Sequence, residues 1–187
     1  MKAVAFTVGA VLLTASLSAA HAADWTIDTA QSHLDFTGSQ SGSPFNGHFT
    51  GFAGTIAFDP ANPAAGHADV TIDTATATTG DSQKDGAMPG ADWFAAQKFP
   101  QAHFVATGFK LTTAGGFETN GTLTIRGISK PVTLPFTLAI TGDIAKATGH
   151  VQLIRTRFGV GQGAWSTAQY VALEVAVNFA ITAKSAP

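Results

Sequence analysis

The side chains that could perform metal or acid–base chemistry are thinly spread along this chain. Five histidines follow the first 22 residues, and no two of them have the spacing of metal ligands on one element: His33, His48, His67, His103 and His150. Cysteine is absent, which excludes thiol nucleophiles, thiolate ligands and disulfides. We therefore expect no metal, no catalytic residue and no enzyme. The open alternative is a site whose groups meet only in space.

Two further motifs are better explained by structure than by chemistry. Residues 159–163 read Gly-x-Gly-x-Gly, but no strand-to-helix crossover surrounds them, so we expect a loop there and not a nucleotide-binding turn. Asp81 and Asp85 flank Lys84, and solvated loop charge is favoured over a catalytic carboxylate pair.

Charge is scarce in this chain. Charged residues make up 12% of it, about half of the usual ~25%. The basic residues form no run or stripe, so we expect no nucleic-acid partner. For Arg126, Arg155 and Arg157, structural ion pairing is favoured over recognition of a ligand head group.

The first 22 residues are expected to be a cleaved signal peptide. Met1 and Lys2 give a positive start, an uncharged apolar stretch follows, and Ala20-His21-Ala22 has the small-x-small form of a signal peptidase site. A membrane-spanning helix is the alternative, but several Thr, Ser and Gly residues dilute the stretch. The sequence therefore predicts export to the periplasm and one domain over residues 23–187.

The clearest hydrophobic alternation lies near the end of the chain, in the run V-A-L-E-V-A-V-N-F-A-I-T. Every second residue is a large apolar group, and the residues between them are small or polar. This period predicts a strand with one apolar face. We expect Val171, Leu173, Val175 and Val177 to point inward and Glu174 to point outward.

The same period recurs along most of the chain, with turn residues about every ten positions, which is typical of an all-β fold. The remaining expected strands cover residues 25–28, 33–37, 46–58, 67–78, 101–112, 117–126, 132–141 and 145–156. Residues 38–44 are expected to form a Gly/Ser loop, and residues 91–98 the one short helix. The pattern favours a closed or sandwiched sheet around an apolar interior.

Four motifs follow one another in order between residues 45 and 159. They are Phe45-x-Gly47-x-Phe49-x-x-Phe52-x-Gly54-x-Ile56-x-Phe58-Asp59, Lys98-Phe99-Pro100-x-x-x-Phe104, Gly121-x-Leu123-x-Ile125-x-Gly127-Ile128-x-Lys130-Pro131-Val132, and Arg155-x-x-Phe158-Gly159. Together they resemble the YceI-like family of periplasmic proteins. The resemblance implies a single eight-stranded, antiparallel, lipocalin-like barrel with a long apolar cavity that binds isoprenoids or other long-chain amphiphiles, and no agreed enzymatic activity.

Two segments depart from, or subdivide, the family pattern. Where many relatives carry a more basic segment, this chain reads Lys84-Asp85-Gly86-Ala87-Met88-Pro89-Gly90, so a pyrophosphate head group would meet fewer cations. Residues 158–165 resemble a subgroup linked with cytochrome b561-type membrane proteins, which suggests a quinone-like cargo. The resemblance therefore implies a carrier with no resident cofactor beyond a bound polyisoprenoid or quinone.

Aromatic excess, alternation and the resemblance together indicate a ligand site. The expected tail-binding residues are Phe36, Phe49, Phe104, Phe136, Phe158 and Trp165, with Trp93 and Phe94 closing one end and Lys84 near the polar head group. Two alternatives stay open. One is a redox accessory or enzymatic partner of a cytochrome b561-type membrane protein, and the other is a structural stress protein whose core is filled and holds no cargo.

Overall fold

The computed structural model describes residues 23–186, so the expected signal peptide at residues 1–22 lies outside the described residues. Within that range the chain forms eleven strands, one α-helix and five short 3-10 turns. The strands are β1 (Ala23–Ile27), β2 (His33–Gln40), β3 (Ser43–Phe49), β4 (Phe52–Phe58), β5 (His67–Asp73), β6 (Ala77–Thr78), β7 (Gln101–Leu111), β8 (Phe117–Ile125), β9 (Ile128–Thr141), β10 (Ile144–Ile154) and β11 (Glu174–Ser185). The helix α1 covers Ser82–Ala87.

Eight of these strands close into an antiparallel barrel. Their order is β1-β4-β5-β7-β8-β9-β10-β11, and β11 returns to pair with β1. Closure satisfies the backbone groups that an open sheet would leave at its two edges. The eight-stranded antiparallel barrel expected from the resemblance is confirmed.

The last strand, β11, pairs with two different strands along the same edge. Its second half pairs with β1, as in Ala183 opposite Ile27, and its first half pairs with β2, as in Val177 opposite Phe36. The β2-β3-β6 ribbon therefore extends the barrel wall beyond β1 at one end of the barrel. We call this the upper end, where α1 and the loop of residues 155–173 lie. The lower end holds the hairpin turns at residues 112–116 and 142–143.

The expected loop at residues 38–44 is a tight hairpin instead, so that prediction is wrong. Only Ser41 and Gly42 lie outside the strands, and both have positive φ angles of 51° and 81°. Two consecutive left-handed residues match the twist of the flanking strands. Gly38 lies in β2 opposite Phe45 on β3, and the Phe45 ring lies against its backbone.

The run expected as one strand over residues 46–58 is broken into β3 and β4. The chain turns a corner at Gly51, whose N–H donates to the Thr76 hydroxyl at 2.9 Å. A Cβ at this glycine would lie 2.8 Å from the Thr76 methyl group, so the corner needs glycine. Residues 67–78 are interrupted in a similar way, by a 3-10 turn over Thr74–Thr76.

The helix expected at residues 91–98 is also misplaced. The α-helix lies earlier, at Ser82–Ala87, and begins because the Asp81 carboxylate accepts hydrogen bonds from two backbone N–H groups. Residues 91–98 form successive turns instead, in which Ala95 has a φ of 48°. Tertiary packing overrides helix propensity here, because this segment turns Phe94 into the barrel against Phe49.

The inward face expected for the last strand is largely confirmed. Val171, Val175 and Val177 line the barrel interior, and Glu174 is exposed, but Leu173 is half-buried and lines neither chamber. The strand starts at Glu174, later than expected, and Val171 is buried beside it through an isolated bridge to Gln40. Over residues 23–186, none of the helical segments has the length and apolar character needed to cross a bilayer.

Reversing the polarity of one inward position should destabilise the barrel. Val177→Asp places a carboxylate against an apolar wall, so the free energy of unfolding should fall by roughly 2 kcal/mol or more. Gln152→Asp puts the same group on the exposed face of β10 and should change it by less than about 0.5 kcal/mol. Urea unfolding of both variants checks this, and equal losses would contradict the assigned faces.

Candidate ligand cavity

The lower part of the barrel encloses a chamber of about 240 Å³ with an almost wholly apolar wall. Inward side chains of the ring strands form this wall, among them Trp25, Ile56, Phe104, Phe136, Val151 and Phe179. Among the described residues, two side chains in the wall carry a polar group. The Thr74 hydroxyl shares its proton between the carbonyls of Phe99 and Pro100, and the Trp25 indole N–H donates to the carbonyl of Phe58. A chamber of this kind favours hydrocarbon over water.

A cluster of four phenylalanines forms the floor of the lower chamber. Phe58 meets Phe109 and Phe117 edge to face at centroid distances of 5.2 and 5.3 Å. Phe136 packs on the same pair at 5.9 and 5.7 Å. These geometries are favourable for aromatic rings, so the lower end is closed by packed side chains.

A second chamber of about 360 Å³ lies above the first. Its wall is mainly aromatic and aliphatic, but it also contains Gln40, Gln83, Lys84 and Arg155. Among the described residues no carboxylate side chain lines this upper chamber, so its charged groups are both cations. The upper chamber can therefore hold a polar group that accepts hydrogen bonds.

The two chambers meet at a collar of shared side chains. Phe49 and Phe94 line both chambers and contact each other edge to face at 5.8 Å, and Phe36 packs on Phe49 at 5.5 Å. Ile125, Leu153 and Val177 also line both chambers, so a ligand that occupies both has to pass this collar.

Glycines on neighbouring strands make room for some of the rings. A Cβ at Gly121 would lie within 2.5 Å of the Phe104 ring, and Gly47 stands in the same relation to Phe36. Each ring thus occupies space that a side chain on the adjacent strand would otherwise fill. This arrangement keeps the interior open although the chain contains 14 phenylalanines.

Lys84 is held at the rim of the upper chamber by Asp81. Asp81 caps α1 and accepts a hydrogen bond from the Lys84 ammonium at 2.8 Å. Asp85 accepts hydrogen bonds from the hydroxyl of Thr78 and from the N–H and hydroxyl of Thr79, which lowers its pKa to about 2. Asp85 thus anchors α1 to β6. Lys84 lies on a helix, not on the expected loop.

Arg155 does not form the ion pair expected from the sequence with any of the described residues. Its side chain is 5% exposed and donates to four backbone carbonyls, those of Val160, Thr167, Val171 and Ala172. Burial away from water lowers the pKa of this guanidinium group. Carbonyl oxygens thus take the place of the expected carboxylate partner. The Arg155 side chain holds the loop of residues 155–173 together through these hydrogen bonds.

The segment that carries Trp93 and Phe94 is tied to the same loop. Arg126 donates to the carbonyls of Ala91 and Trp93, also in place of an ion pair, and the Asp92 carbonyl accepts the N–H groups of Gly161 and Gln162. The Trp93 ring packs on Trp165 at 5.6 Å, and the Arg155 guanidinium lies over it at 5.4 Å. These contacts build the roof of the upper chamber.

All nine residues expected from the sequence lie on a chamber wall. Phe104 and Phe136 line the lower chamber, Phe49 and Phe94 line both chambers, and the others line the upper one: Phe36, Lys84, Trp93, Phe158 and Trp165. Their role in binding a ligand stays a prediction. Gln40 and Gln83 also line the upper chamber, and nothing in the sequence around them predicts this position, because it depends on the fold.

These features define a class: a single-domain, closed antiparallel β-barrel with an apolar central cavity and a polar rim. The YceI-like domain model matches residues 25–183, so the chain belongs to the YceI-like family. Protein YceI of Escherichia coli O157:H7 is 37% identical over 131 residues, which is 68% of each chain. A UPF0312 protein of Yersinia enterocolitica is 36% identical over 140 residues, 73% of this chain and 71% of the relative.

Solved structures share the architecture. BcnA of Burkholderia cenocepacia superposes with a TM-score of 0.80 at 35% identity, covering 83% of this chain and 98% of that one. A domain from Saccharophagus degradans, described as polyisoprenoid binding, has a TM-score of 0.65 at 14% identity and covers 87% of this chain and 98% of that one. At that identity the second likeness shows the fold alone.

The anchoring of α1 by Asp85 should depend on pH. Its folded-state pKa of about 2 lies below the ordinary 3.8, so its contribution to stability is present above about pH 4 and is lost as pH falls toward 2. Asp85→Asn should therefore be less stable than the wild type at pH 5, and the difference should shrink toward pH 2. Chemical unfolding across this range checks it, and a pH-independent difference would contradict the assignment.

Replacing Arg155 by lysine should loosen the loop of residues 155–173. Lysine keeps the charge, but its single ammonium group cannot reach the four carbonyls that the guanidinium joins. Chymotrypsin should then cut after Trp165 or Tyr170 at least about tenfold faster, which corresponds to about 1.4 kcal/mol less protection. Arg157→Lys, at an exposed position of the same turn, is the control and should leave cleavage unchanged.

Proposed function

We propose that this protein binds one long-chain isoprenoid or quinone-like amphiphile in its barrel and stores or carries it in the periplasm. The single observation that carries the proposal is the division of the cavity into a dry lower chamber and a cation-bearing upper chamber. In this arrangement the apolar tail fills the lower chamber and the head group stays in the upper one.

The energetics favour a tail in the lower chamber. Burial of each CH2-sized group contributes ~0.8 kcal/mol, so a few isoprene units offset the cost of ordering the ligand. Packed phenylalanines close the lower end, whereas polar side chains line the upper chamber, so the upper end is the more hydrated one. Chambers of about 240 and 360 Å³ also argue against the alternative in which the core is filled by side chains.

Binding without chemical conversion is favoured over catalysis. Among the described residues no titratable side chain lines the lower chamber, and the proton of the Thr74 hydroxyl is already donated to backbone carbonyls. In the upper chamber the guanidinium of Arg155 is occupied by backbone carbonyls. The polyisoprenoid-binding description of the Saccharophagus degradans domain, which has the same fold, is consistent with this proposal.

Filling the lower chamber should select against long tails. Ala147→Phe, on an inward position of β10, should weaken binding of a long-chain ubiquinone by at least about tenfold (about 1.4 kcal/mol) and affect a short-chain quinone less. Ala139→Phe adds the same ring at an exposed position of β9 and is the control. Quenching of tryptophan fluorescence by the quinone measures both affinities. Equal binding of long tails by both variants would contradict a tail in the lower chamber.

Removing the rim cation should discriminate between head groups. Lys84→Ala should weaken binding of a polyprenyl phosphate more than binding of a neutral quinone with a tail of similar length, because the anion loses a charged partner at the rim. Lys110→Ala removes a lysine near the lower end and should affect neither ligand. Isothermal titration with both ligands checks this, and equal weakening would place the head group elsewhere.

A further inference from the structure

The barrel wall is not fully hydrogen-bonded between β9 and β10. The two strands pair from Thr141 opposite Ile144 only as far as Phe136 opposite Gly149. Beyond that point β9 continues to pair with β8 up to Ile128, and β10 continues to pair with β11 up to Ile154. In the described structure, residues 128–135 of one strand and 150–154 of the other therefore face each other without a ladder.

Two prolines explain where the ladder stops. Pro131 and Pro135 are opposite Thr122 and Glu118 on β8. A proline has no N–H and cannot occupy a hydrogen-bonded pair, so both ring nitrogens must point away from β8 and toward β10. They remove two donors from this edge of β9, as prolines do where natural sheets avoid pairing.

The unpaired stretch has defined ends and apolar sides. The turn Arg155–Phe158 and Gly159 close its upper end, where a Cβ at Gly159 would meet the Ile128 side chain at 3.3 Å. The last ladder pair closes its lower end. The sides are apolar groups that line the lower chamber and are partly exposed: Val132, Leu134, Val151 and Leu153.

We propose that this stretch is a lateral window through which the apolar tail of the ligand enters the lower chamber. The inference rests on the proposed function and adds the route. Residues 150–154 span roughly 16 Å at ~3.3 Å per residue, which is long enough for an extended alkyl or prenyl segment to pass sideways. The route from the upper end leads past the collar that contains Phe49 and Phe94, whereas residues that line the lower chamber form the sides of the window.

A cross-link across the window tests the route, and the absence of cysteine in the chain makes the labelling specific. Continuation of the Thr137–Thr148 register places Thr133 opposite Gln152, both exposed. The double variant Thr133→Cys/Gln152→Cys is closed with a short bismaleimide. The matched control, Thr137→Cys/Thr148→Cys, joins the same two strands inside the ladder, where the native hydroxyls lie 2.8 Å apart.

The measurement is stopped-flow quenching of tryptophan fluorescence as each protein takes up ubiquinone from phosphatidylcholine vesicles. The cross-linked window should slow uptake of the long-chain quinone at least about tenfold without changing the final occupancy, and the control should load at the wild-type rate. A window variant that loads at the wild-type rate overturns the proposal and assigns entry to the upper end. If neither the wild type nor any variant takes up quinone or polyprenyl phosphate, the proposed function itself fails, and the window fails with it.

Discussion

The closed ladder of backbone hydrogen bonds is the interaction on which the rest of this structure depends. Each ring strand has a neighbour on both sides, and β11 completes the ring by pairing with β1 below and β2 above. Apart from the stretch between β9 and β10, the backbone is satisfied within the wall, so the interior does not have to be filled to hold the strands together. A chain without disulfides can therefore keep chambers of about 240 and 360 Å³ inside one domain.

The asymmetry of the barrel follows from what lies at each end of that ladder. At the lower end four phenylalanines pack on one another and close the interior. At the upper end the chain uses buried hydrogen bonds instead, since Arg155 joins four carbonyls of the loop that follows it. Because the lower end is apolar and the upper end is polar, an amphiphile fits with its tail at the lower end and its head group at the upper end.

The sequence predicts the wall of this barrel better than its ends. Alternation of large apolar residues places Val175 and Val177 inside and Glu174 outside because strand side chains follow a strict period of two. The aromatic candidates on strands reach the chamber walls for the same reason, namely Phe36, Phe49, Phe104 and Phe136. The helix at Ser82–Ala87 and the carbonyl cluster around Arg155 could not be predicted, because both depend on contacts that form only after the strands have closed.

Native mass spectrometry of protein purified without detergent from its own cells tests the central claim most directly, namely that the barrel holds a long-chain amphiphile. The account predicts one lipid per chain, released as a prenyl-chain compound when the protein is unfolded in organic solvent. It would be contradicted by a chain that carries no lipid and, after exposure to polyprenyl phosphate or ubiquinone at micromolar concentration, still shows only the mass of the bare polypeptide.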